Sequence, residues 1–91
     1  MKLWIDAKPP EDKSYVHTPT YDEAVEHLKT TQVTDISIVN HLIGDRTGYD
    51  VAMFIEAVGQ PICWRIHSPE GAKHIRSALL AAEKRWRGDH L

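Results

Sequence analysis

The sequence is short of the features that announce a function. Its one cysteine, Cys63, rules out an internal disulfide and a multi-cysteine metal centre. Set in an apolar run, Cys63 is expected to be a small buried hydrophobe. No apolar run approaches the roughly 18 residues of a membrane helix. The opening Met-Lys-Leu-Trp-Ile-Asp places an acid where a signal peptide would continue its apolar segment. A cytoplasmic protein with no membrane association is the simplest expectation. No internal repeat, low-complexity tract, phosphate-binding loop, dinucleotide fingerprint or Ser/His/Asp motif is present. The net charge of −2 excludes a strongly basic nucleic-acid binder. Within the 91 residues there is room for a single domain, 1–91, and no more.

What is present alternates between two periods. Leu3-Trp4-Ile5 is a short apolar strand ending at Asp6, and Pro9 and Pro10 make the following stretch a loop. Tyr15–Thr18 reads as a brief strand stopped by Pro19. Thr20 with Glu23 forms a capping-box pattern, opening a helix through Ala24, Val25 and Leu28. Ile36, Ser37, Ile38 and Val39 form a central strand that breaks off into Asn40 and His41. A loop holding Gly44 follows, and Thr47 with Asp50 repeats the capping pattern. Val51, Phe54, Ile55 and Val58 then recur at helical spacing until Gly59 and Pro61. Ile62–His67 is the last strand. Ser68-Pro69-Glu70 reads as a helix start, with Ala72, Ile75, Leu79, Ala82 and Trp86 on one face and Gly88 as the stop.

Strands alternating with helices imply a mainly parallel four-stranded sheet with three helices. In such sheets ligands bind beyond the carboxyl ends of the strands. Asp6, Asn40, His41, His67 and Ser68 are the polar residues at those ends, so they are the candidate site. The helix starts at Thr47-Gly48 and at Ser68 would favour an anion such as phosphate. His41 and His67 are the candidates for moving a proton. One Asp with two His matches no closed zinc spacing, so no metal and no cofactor are expected. Charge is uneven: residues 1–60 hold five Lys/Arg against ten Asp/Glu, and residues 61–91 hold six against three. The basic end Lys84, Arg85, Arg87 could touch a phosphate backbone, but it also complements a helix dipole, which is the simpler reading.

These residues resemble the cyclic-phosphate processing receiver domains. In that family the first strand ends Asp-Asp-x-Arg-Pro and a helix begins near Glu-Ala. The central strand ends Ser-Leu-Asp-His-Asp-Leu-Gly, Thr-Gly-Tyr-Asp-Val opens a helix, and the last strand ends His-Ser. Here Leu3-Trp4-Ile5-Asp6, Glu23-Ala24, Ile36-Ser37-Ile38, Arg46-Thr47-Gly48-Tyr49-Asp50-Val51 and His67-Ser68 correspond. The resemblance implies a small receiver-like (flavodoxin-like) three-layer α/β domain. It also implies a substrate class, the cyclic or terminal phosphates of RNA, and a cluster of acids that holds a divalent cation. The acids are where this chain departs. Ala7 replaces the second Asp, Pro9 the arginine, and Val39-Asn40-His41 the Asp-His-Asp tip, leaving Asp6 and Asn40 as a vestigial acidic site.

Two functions compete. The first is a non-catalytic binding or inhibitory protein, such as a phage or mobile element would direct at a host protein. Its contact surface would be the loop residues Ile43, Asp45 and Arg46, with Leu42 either beside them or folded under the sheet. The second is a metal-independent phosphoesterase acting on RNA ends through His41 and His67.

Overall fold

The computed structural model describes residues 1–59 and 61–86. The strands are β1 (Lys2–Ile5), β2 (Tyr15–Thr18), β3 (Asp35–Ile38) and β4 (Cys63–Ile66). The helices are α1 (Tyr21–Thr30), α2 (Gly48–Val58) and α3 (Ala72–Trp86). The sheet runs β2-β1-β3-β4 and every pairing is parallel, so all four carboxyl ends lie along one edge.

Strand order dictates where the helices go. The steps β2 to β3 and β3 to β4 move the same way across the sheet, and right-handed crossovers therefore place α1 and α2 on the same face. Helix α3 returns beside α2. The core accordingly draws Leu3, Ile5, Ile36 and Ile38 from one face of the sheet and packs them on Leu28, Val51, Ile55, Ile75 and Leu79. Burying one such Leu or Ile side chain is worth roughly 1.5–3 kcal/mol. The step from β1 to β2 runs the opposite way, so its connection crosses the other face. There the chain has only residues 6–14, fewer than the dozen or so that a parallel crossover ordinarily takes. The layer on that second face is this loop, not a helix. Trp4 lies beneath it and donates from Nε1 to the Lys8 carbonyl at 3.0 Å.

Local signals act where the sequence placed them. Thr20 Oγ1 accepts the Glu23 N–H at 3.2 Å and starts α1. Thr47 and Asp50 form a full capping box at α2, which ends on left-handed Gly59. Helix α3 differs. It begins at Ala72, so Ser68 is not its cap. Gly71, at φ 70°, sits third in a turn closed by the Ala72 N–H on the Pro69 carbonyl, and that turn occupies the stretch read as the first helical turn. Cys63 is exposed rather than buried, because β4 is an edge strand and Cys63 lies on the face without helices. Gly88 and Arg87 lie outside the described residues. Among the described residues no helix is long and apolar enough to cross a membrane.

Candidate functional site

The parallel register sets a row of side chains across the helix-free face. His17, Trp4, Ser37 and Arg65 are register partners on β2, β1, β3 and β4. Asp6 and His67 follow Trp4 and Arg65 by two residues, so strand alternation puts them on the same face, just past the strand ends.

His67 is the hub. Its Nε2 lies 2.8 Å from Asp6 Oδ2, and its Nδ1 lies 2.7 Å from Ser37 Oγ. Arg65 Nε donates to Ser37 Oγ at 3.0 Å. A guanidinium can only donate, so the Ser37 hydroxyl accepts from Arg65; the Asp6 carboxylate can only accept, so in the neutral ring Nε2 donates to it and Nδ1 accepts the Ser37 proton. The neutral ring then carries its proton on Nε2, facing the Asp6 carboxylate. Trp4 stacks on the imidazole at 3.8 Å between centroids and 20° between planes, and Tyr15 meets Trp4 edge-on at 5.4 Å. Asp6 is equally committed. Its Oδ1 accepts the Lys8 N–H at 3.0 Å, and its carbonyl accepts from His17 Nε2 at 2.8 Å.

The structure brings Asp6, Asn40, His41, His67 and Ser68 together around one cleft of about 370 Å³, which Lys8 and Glu70 also line. Convergence at one edge does not mean availability. Asn40 Oδ1 accepts the Tyr49 N–H at 3.2 Å, and its carbonyl accepts the Gly48 N–H at 2.9 Å. The Asp50 N–H goes to Thr47 Oγ1 and the Val51 N–H to the Thr47 carbonyl. Every N–H of the first turn of α2 is therefore satisfied within the chain, and Thr47 and Gly48 offer no free donor to an anion. The second expected anion spot, at Ser68, precedes a turn instead of a helix. Lys8, His41, Ser68 and Glu70 are the polar cleft side chains that lie outside this hydrogen-bond network among the described residues.

The divalent cation implied by a receiver-like acidic cluster does not fit these residues. Asp6 supplies the single carboxylate of the two strand tips and both its oxygens are engaged, while Ala7 and Val39 have no donor to offer a hard cation. Among the described residues no three His, Cys, Asp or Glu gather in metal-binding distance of one another.

The loop expected to contact a partner stands beside α1. Ile43 is 56% exposed and Leu42 only 4%, so Leu42 folds under and leaves Ile43 as the apolar tip. The Ile43 N–H bonds the Pro19 carbonyl, which ties the loop down. Arg46 lies 4.2 Å over the Tyr21 ring and 3.7 Å from Asp50 Oδ2. Asp45 is exposed.

Trp4, Ser37, Arg65 and His17 were not legible as site residues. A serine between Ile36 and Ile38 in a buried strand, and Arg65 two before His67, were the available signals. Their convergence depends on a register between strands that no single stretch encodes.

No curated protein and no solved structure matches the chain. A family model, that of the cyclic-phosphate processing receiver domain, matches residues 1–81, and the chain belongs to that family.

Proposed function

We propose that this receiver-family protein is a non-catalytic binding module for a protein partner. The observation that carries the reading is the commitment of the strand tips. Both oxygens of Asp6, both ring nitrogens of His67 and the Asn40 amide oxygen are bonded within the chain. A general acid or base must reach the substrate's proton, and a hard cation needs several carboxylate oxygens, of which these strand tips supply only those of Asp6. These groups instead hold β1, β3, β4 and the start of α2 in place. One surface that stays available is the loop tip, where exposed Ile43 stands beside Asp45 and Arg46.

Substituting Ile43→Asp together with Arg46→Glu should abolish partner capture. It should leave the melting temperature within a few degrees, since the exposed Arg46–Asp50 pair is worth at most about 1 kcal/mol. Capture that survives this pair of changes would place the contact elsewhere.

The second reading, a metal-independent phosphoesterase on RNA ends, has one observation in its favour: His41 and His67 line the same cleft. An oligonucleotide ending in a 2′,3′-cyclic phosphate decides between the two. The binding reading expects no opening of the ring beyond the buffer rate. Turnover that disappears in His41→Ala would establish the enzyme.

A further inference from the structure

Helix α3 turns Ile75, Ala78, Leu79 and Ala82 into the core. At about 100° per residue, Lys73, Leu80 and Lys84 fall opposite that face, with Arg76 on the adjoining flank of the same stripe. All four are exposed, and Leu80, between the cations, is 45% exposed.

Ordinary helix electrostatics accounts for only part of this stripe. Cations near the C-terminus complement the dipole, which explains Lys84 and Arg85. Lys73 and Arg76 lie at the opposite end, where the dipole opposes them, and the first turn holds no acid to offset it. A merely solvated helix face mixes signs at i,i+4 spacing, and this one does not. The one acid of α3, Glu83, accepts from Trp64 Nε1 at 2.8 Å. Lys73, Arg76 and Lys84 have no ion pair among the described residues. Nor is the stripe a by-product of a basic protein, because the whole chain carries a net charge of −2.

We propose that the outer face of α3 docks an acidic amphipathic helix of a partner protein. Cations spanning three turns, about 16 Å of helix, would face acids on the partner, and Leu80 would meet an apolar side chain between them. A nucleic acid is the poorer match. A phosphate backbone gives Leu80 nothing to pack on, whereas an amphipathic helix does. This face is separate from the Ile43 loop, since α2 lies between them and packs on both α1 and α3.

The test uses three probes with the full chain: a synthetic helical peptide with a leucine stripe flanked by glutamates, the same peptide with lysines for glutamates, and a generic single-stranded RNA. Amide chemical shifts report the site. The glutamate peptide should shift Lys73, Arg76, Leu80 and Lys84 to saturation, and its affinity should fall as salt rises from about 50 to about 300 mM. K73E/R76E/K84E should weaken it by at least about tenfold and gain affinity for the lysine peptide. Leu80→Ser, which keeps every charge, should weaken it independently. Equal binding of the lysine peptide, tighter binding of the RNA at the same salt, shifts mapping to another face, or no shift at about millimolar peptide would each overturn the proposal.

Discussion

At Gly48 a β-carbon would stand 1.9 Å from the Val39 carbonyl oxygen, closer than any side chain tolerates. The glycine lets the first turn of α2 close on the tip of β3, and the neighbouring bonds from Gly48 and Tyr49 to Asn40 depend on that approach. Gly48→Ala must push helix from strand and should cost about 3 kcal/mol or more in a denaturant titration. Thr47→Ala leaves the helix in place but removes the acceptor for the Asp50 N–H, so about 1 kcal/mol is expected. Both values can be read from one set of urea midpoints. The Thr-Gly-Tyr-Asp run is thus a joint, in which each residue type answers a local steric or hydrogen-bond demand. Local demands of this kind are legible from sequence, which is why Thr47 and Asp50 stood out. Ser37 and Arg65 meet a demand set across strands, and nothing in their own neighbourhoods declared it.

Among the elements, β1 and β3 present the tips at which the family resemblance leads one to expect acids. Val39 continues β3 between Asp6 and His67 along the sheet edge, and Ala7 follows Asp6. Ala7→Asp with Val39→Asp should therefore create a divalent-cation site that the natural sequence lacks. Magnesium at ten times the Kd should stabilise that variant by about 1.4 kcal/mol, against no change for the unaltered chain. A flat titration in the variant would contradict the assignment of these positions. The loop 6–14 makes a smaller prediction of its own. The Ser14 backbone N–H, and after it the Ser14 hydroxyl, bond Asp12 Oδ1 and hold its carboxyl below the usual range. Ser14→Ala removes the hydroxyl bond, so the Asp12 titration followed by NMR should move up. A depressed carboxyl favours the fold above the unfolded pKa and stops doing so as pH falls through the folded one. Strand and helix order was legible because periodicity and caps are encoded within each element. The start of α3 was misread because Ser68-Pro69-Glu70 carries good helix-start chemistry, while Gly71 at positive φ imposes a turn first.

For the molecule as a whole, the parallel sheet is covered by helices on one face and by a loop and its own aromatic side chains on the other. Sheets of this kind usually have helices on both faces. The central strands β1 and β3 are hydrogen-bonded on both sides, whereas β2 and β4 are edges. Amide exchange should be slowest in β1 and β3 and measurably faster in β2 and β4. Equal protection across the four strands would show that the edges are better shielded than this topology allows. The row His17–Trp4–Ser37–Arg65 carries one last implication, for misfolding. Shifting β4 by a single residue would turn Arg65 and His67 into the core and set Trp64 and Ile66 facing water. Both faces of the sheet reject such an assembly at once, one by stranding charge, the other by wetting apolar surface. Strand alignment is in this sense proof-read twice, and the same side chains that crowd the strand tips are one of the two readers.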